Sequence, residues 1–171
     1  MLTGQYARMM ASYNRWQNEN LLAAAETLPP QVRDADLGAF FHSIRGTLSH
    51  LLWADQMWLS RFTTAPRPNV GIAQSPDMIR DWQDLRAARQ DADAAIVAWA
   101  KTLPDGLLSG DLRWFSGANN TEMARPLAHV VAHFFNHQTH HRGQIHVMLT
   151  RAGAKPGVTD LAFIPENLIA D

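Results

Sequence analysis

The sequence predicts an all-α chain organised as a four-helix bundle, and three observations carry that prediction. Apolar residues recur at three- and four-residue steps through four long segments. Proline and glycine punctuate the gaps between those segments. The 171 residues are enough for one domain with a sizeable core, read here as spanning 1–171.

The first helix is expected from Thr3, a candidate N-cap, to Leu28. Tyr6, Met9, Met10, Tyr13, Trp16 and Leu21 mark its buried face. Pro29-Pro30 stops it. The second helix is expected from Leu37 to Phe62, with an apolar set running from Phe40 and Phe41 through Ile44, Leu48 and Leu52 to Trp58. TTAPRPNVGIAQ follows and reads as a loop, long for a bundle. A crossover of that length can return along the bundle and set helices two and three parallel. Ser75-Pro76 reads as the N-cap and first position of a third helix ending near Lys101. Between Leu103 and Arg125, Gly-Ala-Asn-Asn separates two short alternating segments, the pattern of a small hairpin or an irregular loop. The fourth helix is expected from Pro126 to Ala152, stopped by Gly153. A short helical turn is expected in the tail TDLAFIPENLIAD.

Charge and cysteine content exclude several functions. Lys and Arg number 15 against 16 Asp and Glu, a net charge of −1, so nothing marks a nucleic-acid or membrane-surface binder. Cysteine is absent, which removes disulfides, thiolate nucleophiles and cysteine-based zinc sites and fits a reducing cytoplasm. The N-terminal stretch lacks an apolar signal core, and no run of about 18 apolar residues is present.

The chemistry concentrates in HFFNHQTHHRGQIH, residues 133–146. With His129 this region holds six of the eight histidines. Imidazoles four residues apart on a helix share a face and converge on one metal ion, which makes 129/133, 133/137 and 137/141 candidate pairs. Leu127, Val131, Phe134, Ile145 and Met148 mark the inward face. His137 and His141 fall closest to it, His133 and His140 at its edge, His129 and His146 further round. His137 and His141 are therefore the preferred ligands. A third ligand has to come from another helix, where only His42 and His50 remain, and spacing favours His50 only slightly. Neighbouring polar groups are candidates for supporting or pocket roles: Asn14, Trp53, His133, His140 and Gln144. Asp55 points about 140° from His50 at ~100° per residue and is expected to salt-bridge rather than touch a metal. Arg142 is expected to pair with an acidic neighbour.

TLSHLLWADQMWLSRF, followed much later by NHQTHHRGQIHVMLTRAG, resembles the DinB/YfiT-like family of metalloenzymes, the damage-inducible four-helix family rather than the polymerase sharing the name. YNRWQNENLLAAAETLP resembles its first helix, SIRGTLSH the start of its second, and GVTDLAFI its C-terminal segment. The resemblance implies a bundle of up-down-down-up topology, often a homodimer. It also implies a metal held by one histidine of helix two and the HxxxH of helix four, here His50, His137 and His141. It implies hydrolases, or S-transferases and isomerases that use a low-molecular-weight thiol.

Three neutral imidazoles leave a divalent ion its full charge and an open position, where a water or thiol cosubstrate is acidified. Imidazole ligation suits late metals, so zinc or nickel is expected. The substrate is expected to be a small molecule. The competing class is a noncatalytic, stress-related helical module with a structural metal or none. An open coordination position beside an accessible pocket distinguishes the enzyme from it.

Overall fold

The computed structural model describes residues 2–117 and 120–168. Mostly helical, it adds one two-stranded sheet to five α-helices among the described residues. Helix α1 spans Gly4–Glu26, and the Thr3 side chain accepts the Tyr6 amide as its N-cap. Pro30 then opens a five-residue helix, α2, Pro30–Asp34. The Pro-Pro pair thus ends one helix and begins another, because proline's fixed φ suits a first helical position.

Helix α3 spans Ile44–Phe62, not Leu37 to Phe62. Its N-cap is Ser43, whose hydroxyl accepts the Gly46 amide at 3.0 Å. Immediately before it, His42 has φ 64, a left-handed conformation that no α-helix continues through. Phe40 is consequently 78% exposed, while Phe41 is buried. Gly46 lets this turn close, since a Cβ there would lie 2.7 Å from the Phe41 carbonyl oxygen.

The third long helix also starts later than the Ser-Pro pair predicts. Residues Ile72–Asp77 form a 3-10 turn, and α4 spans Trp82–Thr102. The Asp81 carboxylate accepts the Gln83 and Asp84 amides at 2.9 and 3.0 Å, satisfying two N–H groups that a helix start leaves free. Ser75 is unavailable as a cap because its hydroxyl is committed elsewhere, as described below. Between Leu103 and Arg125 the hairpin reading holds. Strands β1, Asp111–Ser116, and β2, Thr121–Pro126, pair antiparallel with Trp114 opposite Met123. Helix α5 spans Leu127–Arg151, and Gly153 at φ 86 turns the chain out of it. The tail forms 3-10 turns at Leu161–Phe163 and Glu166–Leu168.

Helix α1 packs against α4 and α5, and α3 packs against the same two. The joining pairs are Tyr6 with Phe135 and Asn14 with Arg142 (α1 and α5), and Asn14 with Asp93 and Glu26 with Arg86 (α1 and α4). Between α3 and α5 they are His50 with His141 and Phe62 with Phe134; between α3 and α4, Asp55 with Arg89 and Phe62 with Trp99.

The apolar core forms two clusters. One gathers Leu21, Leu48, Leu52, Leu85, Ile145 and Leu149; the other Ala7, Ile96, Trp99, Val131, Phe134 and Phe135. Each fully buried leucine, isoleucine, valine or phenylalanine among them stabilises the fold by roughly 1.5–3 kcal/mol. A buried polar layer drawn from all four long helices links them. Asp55 accepts from Arg89 at 2.6 Å and from Gln138 at 3.0 Å. Arg89 also lies 2.9 Å from Asp93, whose carboxylate accepts Asn14 at 3.2 Å and Asn18 at 2.9 Å. Arg142 donates to Asn14 and, at 3.2 Å, to Thr139. Arg142 therefore pairs with an amide and a hydroxyl instead of the carboxylate expected. Two guanidinium groups face two carboxylates, so the layer is neutral as a whole. Burial pushes the Asp93 carboxyl up to about 6 against the pull of Arg89. Burial likewise brings Arg142 down to about 10.

Candidate metal centre

Three imidazoles meet where α3 crosses α5. His50, near the start of α3, is 2% exposed, and His141 is 6% exposed. His137 is half-buried. One ligand nitrogen from each lies within 4.8 Å of the others. His137 and His141 share a face because they are one helical turn apart, and their Nε2 atoms stand 3.2 Å apart. Tetrahedral coordination with bonds of about 2.0–2.1 Å sets ligand nitrogens roughly 3.3 Å apart, so this pair already has the spacing an ion requires.

Hydrogen bonds fix which nitrogen of two rings is free. The Ser75 hydroxyl donates to the Ile72 carbonyl at 2.7 Å, so it can only accept from His50 Nδ1, 2.8 Å away. Nδ1 of His50 therefore carries the proton and Nε2 keeps its lone pair. His141 Nδ1 donates to the Gln144 side-chain oxygen at 2.8 Å, which again leaves Nε2 bare. The Gln144 amide then donates to His140 Nε2 at 3.3 Å. Ligand imidazoles are commonly oriented this way by a partner on the opposite nitrogen. Packing holds the His50 ring as well: it stacks on Phe41 with centroids 3.7 Å apart and beside Trp53 at 5.7 Å.

The rings are also kept neutral. Burial, then the positive charge a neighbouring histidine would carry, brings His50 down to about 3 and His137 to about 4. His141 is lowered chiefly by burial. In protein stripped of metal, His50 and His137 should therefore stay neutral at pH 5.5, where an unperturbed imidazole is mostly charged. Nitrogen-15 shifts of imidazolium type at that pH would contradict the buried arrangement. Below pH 6.5 the unfolded chain takes up protons that these folded rings refuse. Their contribution to the metal-free fold is thus complete above 6.5 and lost as pH falls through about 4 and then about 3. Asp93 acts in the opposite sense, its contribution fading as pH rises from 3.8 through about 6.

The three histidines form one end of a cleft of about 400 Å³. Trp53, Gln144, His133 and His140 all line it, the last two as exposed residues. Asn14 does not: helix α1 lies on the other side of α5, and its side chain is turned into the buried polar layer. His42 is exposed and bonded to Asp36, which removes it as a third ligand. His129 is exposed away from the cleft, and His146 lines a separate cavity. Sequence reasoning missed Ser75, taken for a helix cap, and Arg61 as part of the cleft wall, and it read Trp58 as core before pocket. Their signal was available: Trp58 and Arg61 are two and three helical turns beyond His50.

Ser75→Ala leaves His50 Nδ1 with no acceptor, so affinity for zinc should fall roughly 10–100-fold. Competition against a chromophoric chelator measures this, and unchanged affinity would show that Ser75 does not support the ligand.

The DinB family model matches residues 1–167. The chain is similar to Protein DinB of Bacillus subtilis (strain 168), 26% identical over 162 residues that cover 91% of each chain. No solved structure matches significantly. With a family match spanning nearly its whole length and a three-histidine group that fits a metal ion, the chain belongs to the DinB family.

Proposed function

We propose that this is a divalent-metal-dependent enzyme acting on a small molecule, with His50, His137 and His141 as ligands and zinc or nickel as the metal. The observation that carries the reading is the accessible cleft lined by all three imidazoles of the cluster. A noncatalytic structural site has no use for such an opening. His50, His137 and His141 would hold the divalent ion, which when bound would supply Lewis-acid chemistry that acidifies a thiol or water.

Thiol transfer is the better of the two reactions. The cleft wall is apolar and histidine-rich, including Phe41, Trp53, Met57 and Trp58, and among the described residues no carboxylate lines it to act as a base on water. A thiol needs less help, because coordination alone deprotonates it. His133, on the cleft wall, would be the residue to take up a thiol proton there. Burial and the Arg61 guanidinium hold that imidazole below its ordinary value, leaving it neutral at pH 7. Phe41 and Trp53 fix the His50 ring and present an apolar floor to the substrate.

A single domain of up-down-down-up topology is proposed as the scaffold. The helix pairs support it. Residue numbers rise together between α1 and α5 (6 with 135, 14 with 142) and between α3 and α4 (55 with 89, 62 with 99). They run oppositely in the other two interfaces (14 with 93, 26 with 86; 50 with 141, 62 with 134).

The test is turnover of the zinc- or nickel-loaded protein on a panel of electrophiles with low-molecular-weight thiols, beside simple esters and amides without thiol. Thiol-dependent product that disappears in His50→Ala supports the reading. Turnover of esters alone assigns hydrolysis, and none with either panel favours the noncatalytic module.

A further inference from the structure

The cleft carries a guanidinium at its far end whose N–H donors have no role in the proposed chemistry. Arg61 lies eleven residues after His50 on α3. At ~100° per residue this is three turns plus about 20°, so the two share a face, roughly 16 Å apart along the axis at ~1.5 Å per residue. Helical side chains lean toward the helix N-terminus, which brings the guanidinium back toward the histidines. Ala54, Met57 and Trp58 form the wall between. The guanidinium lies 4.2 Å from the Trp58 ring centre and 5.4 Å from that of Trp114 on β1, and the two rings meet edge to face at 5.6 Å. Two indoles thus hold it in place. Among the described residues no carboxylate or other acceptor engages its N–H donors. A half-buried guanidinium stays charged at neutral pH and presents a planar fork of donors suited to a planar oxyanion.

We propose that Arg61 sets the specificity of the cleft by binding a terminal carboxylate on an elongated, apolar-bodied substrate whose reacting end sits at the three histidines. The inference rests on the metal site proposed above and adds the substrate class. The apolar wall between the two ends selects an aliphatic or aromatic body, and the separation excludes short acids.

Calorimetric titration of the zinc-loaded protein with 8-mercaptooctanoate, 8-mercaptooctanol and 3-mercaptopropionate tests it. The thiol occupies the metal end in all three, and only the first also reaches Arg61 with a carboxylate. Wild-type protein should bind the long acid at least roughly tenfold tighter than the long alcohol, a difference of about 1.4 kcal/mol. Arg61→Met, which keeps the packing on the indoles, should erase that preference, read as the ratio of acid to alcohol affinity, while the alcohol still binds. Arg61→Lys should keep part of it, and 3-mercaptopropionate should be indifferent to both changes. Equal binding of acid and alcohol by the wild type, or a preference that survives Arg61→Met, overturns the inference and leaves the metal site standing. A variant that loses the alcohol too also overturns it, since Arg61 would then shape the cleft instead of reading the carboxylate. A wild-type protein that binds none of the three overturns the metal reading, and this inference with it.

Discussion

Replacing His137 with alanine is expected to take bound divalent metal from about one ion per chain toward zero while leaving helical content unchanged. Two imidazoles hold an ion poorly, and the pair broken is the one whose Nε2 atoms already stand 3.2 Å apart. The fold should survive because His137 is only half-buried and the buried polar layer does not include it. His42→Ala and His129→Ala, exposed histidines away from the cluster, should retain the ion and serve as controls. Elemental analysis with far-ultraviolet circular dichroism reads both properties. Stoichiometric metal in His137→Ala, or loss in the controls, would remove the ligand assignment.

Arg89→Met is expected to have the largest effect on stability. Arg89 is 1% exposed and stands between two buried carboxylates, Asp55 and Asp93. Burial alone would lower its pKa, yet the two carboxylates more than reverse this and hold it charged. Removing the guanidinium leaves both acids without their cation, a loss of roughly 3–5 kcal/mol. At about 2–4 °C per kcal/mol for a chain of this size, thermal melting should begin some ~6–20 °C lower. Adding Asp93→Asn should recover part of the loss by removing one of the uncompensated charges. A melting temperature within about 2 °C of wild type would show that the layer contributes little.

Much of this was legible in the sequence, and the remainder was hidden for identifiable reasons. The four long helices follow from apolar spacing, and the His137/His141 pair follows from a four-residue step beside Phe134 and Ile145. Spacing favours His50 over His42 only slightly. Phe40 and Phe41 continue the apolar rhythm of α3 backward, although the helix starts only at Ser43. The Ser43 cap and the left-handed residue before it override that rhythm, and resemblance to a family had to supply His50. Ser75 was misread because Ser-Pro serves a helix start and a tight turn equally well, and only the packing of that turn on α3 shows its hydroxyl reaching His50. Arg89 and Asp93 went unmarked because charged residues a turn apart on a helix ordinarily read as a solvated face. Their burial depends on Asp55 and Asn14 arriving from helices far away in sequence.

The buried polar layer bears on how an ion would come and go. Gln138 and Arg142 each follow a proposed ligand by one residue, so their bonds to Asp55 on α3 and Asn14 on α1 clamp the rotation of α5 about its own axis. The angular setting that aims His137 and His141 at His50 is thus established by the protein itself. Such a chain differs from a zinc finger, whose structure collapses when its ion leaves. Here the emptied protein would keep its shape. Loading would be limited by diffusion and ligand exchange, and one divalent ion could replace another without any refolding step.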